Sequence, residues 1–235
     1  FTYEDFLEVR HLNFMFYAVF DLNFYKWLFQ FTRYLGINTT KFFSHFFKPD
    51  RSSNWPDRYI RFLDDLKNAI EEELHDSREE VVASAKKIFV ENGNDVGESS
   101  RININFGGRL NYLEADWVKP VLMRHLDEIT NMSLSSEDRN LASLLIDLSK
   151  RERVNLKKID EKEPLKISFD VIHWKKNKFK ETLHNLKMPE KLIKFSTNKS
   201  QTLMIKGFHK RYASYNDLDY YNQATERIKP RRFLL

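Results

Sequence analysis

Residues 101–117 read RININFGGRLNYLEADW, the polar constellation that stands out in this chain. Arg101, Asn103, Asn105 and Arg109 surround the pair Gly107-Gly108, and Tyr112 and Trp117 follow. Amide and guanidinium groups donate and accept hydrogen bonds in fixed directions. Two adjacent glycines let a ligand or another backbone come close. Two readings stand. Asn103, Asn105, Arg109 and Tyr112 are a substrate-binding group, or the segment is a helix-start loop whose asparagines satisfy backbone groups.

Other chemistries find less support. There is no cysteine, which excludes thiol catalysis, thiolate zinc sites, iron–sulfur ligation and disulfides from these residues. Of the seven histidines, none pairs with a second ligand at a metal-binding helical spacing. His125 is followed by Asp127 and Glu128, but without an HExxH signature, and no residue is assigned to a metal. Gly107-Gly108 lacks the spacing of a phosphate-binding loop, and neither GxSxG nor a Ser/His/Asp arrangement is legible. Carboxylates abound, yet an acid–base pair needs geometry to be named. No catalytic residue is assigned, and no cofactor is expected on this chain itself.

The elements that must position these residues are mostly helices. Thr2 with Asp5 is a capping-type start ahead of Phe6, Val9, Phe14, Tyr17 and Phe20. A second helix starts at Asp21 or Asn23 and stops at Gly36. Thr39 or Thr40 caps a third through Phe47, and Trp55-Pro56 opens a fourth with Tyr59, Phe62, Leu63, Leu66 and Ile70 on one stripe. Asp76 caps a fifth that stops at Gly93, before a loop over 92–97. Helical pattern resumes through Leu110, Trp117, Leu122 and Ile129 with a break at Pro120, and Ser136 starts another helix. Past residue 150 the period changes. Leu165, Ile167, Phe169 and Val171 alternate as a strand over 164–174, and a second strand is expected over 191–197, pairing antiparallel. Helices over 199–212 and 217–228 follow. The fold class is therefore mainly α: a helical body over 1–155 and a small basic α+β end over 156–235 with a two-stranded antiparallel ribbon.

Charge follows the same division. Residues 151–235 carry 21 Lys and Arg against 10 Asp and Glu, while residues 1–150 carry 18 against 24. A basic end suits nucleic acid, an acidic partner or simply a solvated surface. The most apolar run, residues 12–31, is interrupted by Asn13, Asp21, Asn23, Lys26 and Gln30, so no membrane span is expected. No secretory signal is visible, and the default compartment is the cytoplasm. The chain opens on Phe1 rather than Met, which leads us to expect a piece of a longer polypeptide or a processed chain. Twenty phenylalanines, many within residues 6–47, exceed what one helix face can bury. We expect an apolar patch there that packs on another domain or lines a pocket.

Several stretches together resemble a known family. TYEDFLEVRHLNFMFYAVF with the aromatic helix after it, and FLDDLKNAIEEELHDSREEV leading to an Asn-rich segment, are similar to the region downstream of the barrel in cobalamin-binding radical S-adenosylmethionine enzymes. The strand ending in ISFDVIHW, then KLIKFS, a closing helix and the RRFLL tail resemble the same family's carboxyl terminus. The resemblance implies an accessory domain, not catalytic alone, that covers the barrel mouth or shapes substrate access. S-adenosylmethionine, an iron–sulfur cluster and cobalamin are then implied for the parent enzyme, whose CxxxCxxC and cobalamin domain this chain lacks. No catalytic residue of the family maps onto it. The implied partner is the upstream catalytic part of the same polypeptide, with a homodimer through the aromatic N-terminal helices as the other use of that face. A basic helical module for nucleic acid or an acidic partner is the alternative, with Trp174, Phe179, Phe208, Tyr212, Tyr215, Tyr220 and Tyr221 available for stacking. A stand-alone enzyme with a pocket in the helical body ranks last.

Overall fold

Thr2 starts the first helix as its sequence asks: Asp5 N–H donates to the Thr2 hydroxyl and Thr2 N–H to the Asp5 carboxylate, a complete capping box. In the computed structural model the described residues are 2–22, 25–72, 77–92, 102–113, 115–152, 156, 164–195 and 199–228. The Asp76 cap, the loop beyond Asn92, Arg101 and the tail from residue 229 lie outside them. The helices are α1 (Tyr3–Phe16), α2 (Lys26–Tyr34), α3 (Thr39–Phe47), α4 (Asp57–Glu72), α5 (Arg78–Asn92), α6 (Ile102–Gly108), α7 (Ala115–Ile129), α8 (Ser136–Glu152), α9 (Val171–Lys176), α10 (Lys199–Tyr212) and α11 (Asp217–Arg227). π-helical turns extend α1 over Tyr17–Asp21 and α6 over Arg109–Leu113. The strands β1 (Leu165–Phe169) and β2 (Lys187–Ile193) form one antiparallel pair. Among the described residues no helix is long and apolar enough to cross a membrane.

Four expectations about local structure are corrected. Asn38, not Thr39 or Thr40, caps α3, its side chain accepting from Lys41 N–H. Asparagine caps at least as well as threonine. Pro120 does not break α7. It lies inside the helix as an exposed residue, and the helix runs on through it with one backbone hydrogen bond given up. The strand expected to reach Trp174 stops at Phe169, because the Asp170 carboxylate accepts from His173 N–H and starts α9. The second strand runs Lys187–Ile193 rather than 191–197. Its side chains are mostly exposed and it contains Pro189, so no alternation marks it in the sequence. A two-stranded sheet consists of edges, where proline is tolerated.

The helical body is built around aromatic rings. Phe14, Trp27, Phe31, Phe42, Phe43, Phe46, Tyr59, Phe62 and Trp117 are buried in one core with Leu122, Leu126, Leu145 and Ile146. Each such ring contributes roughly 1.5–3 kcal/mol by leaving water. Leu165, Ile167 and Phe169 point inward from β1 into that same core, beside Trp174. A smaller cluster joins Leu156, Ile205, Phe208, Tyr212, Tyr220 and Ile228 between α10 and α11. Along the same stretch of α11, Tyr221, Asn222 and Thr225 lie against the glycine pair of α6. A methyl group on Gly107 would lie 2.6 Å from Leu22 Cδ1, and one on Gly108 would lie 3.0 Å from Asn222 Oδ1 and 3.2 Å from the Tyr221 carbonyl. The close approach of α11 favours glycine at Gly108, whereas at Gly107 the crowding comes from the Leu22 side chain.

Candidate functional site

The residues singled out from sequence do not meet in one pocket. They sit along α6 and its π-helical extension, each engaged in packing. Asn103 donates its amide to Asn13 Oδ1 at 2.9 Å. The Oδ1 atoms of Asn103 and Asn105 are buried without a hydrogen-bond partner among the described residues. Arg109 pairs with Asp65 at 2.9 Å and lies over the rings of Phe62 and Phe106 at 5.3 and 5.1 Å. Tyr112 stacks on Tyr221 at 4.8 Å with planes 9° apart. The segment is helical over Ile102–Leu113, not a loop, and its directional groups tie α6 to α1, α4 and α11.

A second constellation forms where α3, α4 and α7 converge. His45 sits on α3 because Phe42, Phe43, Phe46 and Phe47 turn that helix inward and leave His45 at the margin of the buried face. His125 and Glu128 lie three positions apart on α7, and so on one side of that helix. His45 Nδ1 and His125 Nδ1 are 2.8 Å apart, across 80 positions of sequence. On its other nitrogen, His125 Nε2 is 2.9 Å from the Tyr59 hydroxyl.

Counting protons assigns the roles. Tyr59 donates its single hydroxyl proton to the Phe46 carbonyl. The Tyr59 oxygen can then only accept from His125, so His125 carries its proton on Nε2. The lone pair of His125 Nδ1 therefore faces His45, whose Nδ1–H donates into it. Full burial holds His125 far below the usual imidazole range, to about 3, helped by the neighbouring charges of His45 and Arg124. Burial also raises the Tyr59 hydroxyl well above its ordinary value. Both groups are neutral at ordinary pH.

Aromatic walls hold the pair in place. Trp55 stacks on His125 at 4.4 Å, and Phe46 lies at 5.6 Å. Trp55 is itself held by its indole N–H donating to the Asp50 carbonyl at 2.9 Å. The Arg124 guanidinium sits 3.7 Å over the Trp55 ring, donates to Glu128 Oε1 at 3.0 Å and reaches the Asn54 carbonyl at 2.6 Å. Beside this layer an open cleft of about 470 Å³ is lined by Trp55, Pro56, Pro120, Val121 and Arg124. Donor atoms of His45, His125 and Glu128 all lie within 4.8 Å of one another, near enough for small side-chain movements to bring them to a single ion.

Sequence reasoning passed over this group. His125 and Glu128 were visible as neighbours, but His45 comes from another helix, and only the packing of α3 against α7 supplies it. A signal did exist: His45, next to Ser44, is the one titratable residue inside the phenylalanine run of α3.

The N-terminal aromatics divide in two. Phe14, Trp27, Phe31, Phe42, Phe43, Phe46 and Phe47 are buried, whereas Phe16 and Phe20 are 44% and 48% exposed. Those two rings stack at 5.6 Å, and half-buried Phe29 meets Phe20 edge-on at 5.3 Å. No family model, curated protein or solved structure significantly matches this chain.

Proposed function

We propose that this chain is an accessory helical domain, not catalytic alone, that docks through Phe16 and Phe20 on the catalytic part of a larger polypeptide. The observation that carries the reading is the exposed, mutually stacked pair Phe16–Phe20. Every other described phenylalanine in residues 1–47 is buried or half-buried. Two rings left side by side in water forgo burial energy that a partner surface would restore. The resemblance to cobalamin-binding radical S-adenosylmethionine enzymes supplies the partner: a barrel carrying an iron–sulfur cluster, whose mouth this domain covers. The reading frame of the parent gene tests it. The expected result is a CxxxCxxC encoded upstream of Phe1, and a parent frame without one overturns the assignment.

A second reading rests on the basic end. Lys176, Lys178 and Lys180 are exposed at and just past the end of α9, and Lys206, Lys210 and Arg211 are exposed on α10. Such a surface suits an anionic partner. Titration with single- and double-stranded DNA probes at low and high salt tests it, since phosphate-driven binding weakens steeply as salt rises. Absence of binding at low salt removes this reading.

A further inference from the structure

We propose that His45, His125 and Glu128 form a binding site for one divalent transition-metal ion of the zinc class. The site uses none of the residues of the Phe16–Phe20 face and stands or falls independently of the docking role.

The donor set fits that chemistry. Two imidazoles and a carboxylate are the ligands a borderline ion such as Zn²⁺ takes, and three protein ligands leave a fourth position for water or substrate. The donors converge from two helices to within 4.8 Å. His125 is already prepared as a ligand: its Nε2–H is committed to the Tyr59 hydroxyl, so the Nδ1 lone pair points at the shared space. A second-shell hydrogen bond of this kind, orienting a histidine through its other nitrogen, accompanies most metal-bound histidines. Glu128 is oriented likewise. Arg124 occupies Oε1 at 3.0 Å, which leaves the other carboxylate oxygen for the ion. The Arg124 charge is spread over Trp55 and the Asn54 carbonyl as well, which blunts its repulsion of a cation.

Two adjustments are needed: the donors, now spread within 4.8 Å, draw in around the ion, and the two imidazoles part. Two nitrogens on a tetrahedral zinc, each at about 2.0–2.1 Å, stand about 3.3 Å apart. The present 2.8 Å separation is that of the metal-free hydrogen bond. His45, half-buried at the margin of the core, opens by about half an ångström and moves its proton from Nδ1 to Nε2, so no net proton is lost on binding.

The test uses the full chain without an affinity tag, stripped with a chelator and titrated with Co²⁺ and then Zn²⁺. One equivalent of Co²⁺ should give the visible absorption of a tetrahedral ion, which Zn²⁺ then removes. His45→Ala and Glu128→Gln should each weaken binding tenfold or more, while His173→Ala and His184→Ala leave it unchanged. Proton NMR of the histidine rings supplies a readout on the unaltered chain. Zn²⁺ should shift the rings of His45 and His125 and spare those of His173, His184 and His209. No binding at millimolar zinc, binding that survives both ligand substitutions, or shifts confined to the other rings would each overturn the site.

Discussion

The hydroxyl of Tyr59 stands 2.9 Å from His125 Nε2, and that contact decides which nitrogen of His125 faces His45. Because Tyr59 gives its own proton to the Phe46 carbonyl, one buried oxygen links α3, α4 and α7. Removing it tests the arrangement. Tyr59→Phe takes from the Phe46 carbonyl and the His125 Nε2–H the buried hydroxyl that both of them use. We expect a loss of about 2 kcal/mol in urea unfolding, from stranding buried polar groups. A loss below the error of the measurement would mean that the two groups find other partners.

Acid should unfold the protein through His125. The ordinary value is 6.5, and the folded value is held down to about 3. Below about 6.5 the unfolded chain takes up a proton that the folded chain refuses, so protonation favours unfolding. The stability that neutral His125 contributes is complete above that range and is lost as pH falls through it. The groups facing it are His45 on α3, Tyr59 on α4, and Arg124 and Glu128 on its own helix. The expected loss is roughly 2 kcal/mol between pH 7 and pH 5. In NMR, the His125 ring should keep its neutral chemical shift at the lower pH. A ring that titrates in the ordinary imidazole range would contradict this.

Gly108 should resist enlargement. Even a methyl group there would press on Asn222 and the Tyr221 carbonyl. Gly108→Val should destabilise the chain by about 1–3 kcal/mol, as overpacking of a filled contact does. Hydrogen exchange should show the loss concentrated in α11. A neutral substitution with unchanged protection of α11 would show that the two helices separate freely.

Glu152 holds a buried junction between α2 and α8. It accepts from the Trp27 indole at 2.7 Å and pairs with Lys26 at 3.1 Å. Burial pulls Lys26 below its ordinary value, and the charge of Glu152 works against that pull. Glu152→Ala would leave a largely desolvated ammonium and an indole N–H unpaired. The expected cost is about 3 kcal/mol by chemical denaturation, near the lower end for breaking a buried pair. The double substitution with Lys26→Met should recover part of it. No recovery would place the cost in lost packing instead.

Much of the fold was legible because its signals are local. The Thr2 box, the stripe Tyr59, Phe62, Leu63, Leu66 and Ile70, and the alternation Leu165, Ile167, Phe169 each lie within one element. The end of β1 and the true position of β2 were not, because Asp170 acts as a cap only through its rotamer and Pro189 hides an exposed edge strand. Pro120 misled because Trp117, Val118, Val121 and Leu122 on either side of it are buried in the core and hold α7 together despite the lost hydrogen bond. For the candidate site the obstacle was distance along the chain. His45 and His125 are 80 positions apart, and no spacing rule joins residues whose meeting depends on how two helices pack. The polar run around Gly107-Gly108 drew attention for the same reason in reverse: its residues are local, and the structure turns them to helix packing.

The docking role is tested most directly by oxidative footprinting of Phe16 and Phe20, in the isolated chain and in the intact polypeptide its gene encodes. At 44% and 48% exposure, both residues should be readily modified in the isolated chain. In the intact protein both should be protected several-fold, while Tyr3 and Leu203, exposed elsewhere, serve as references. Concentration-dependent protection in the isolated chain, abolished by Phe16→Ser with Phe20→Ser, would assign the face to a second copy instead. Equal modification of both rings in the isolated chain and the intact protein would contradict the account.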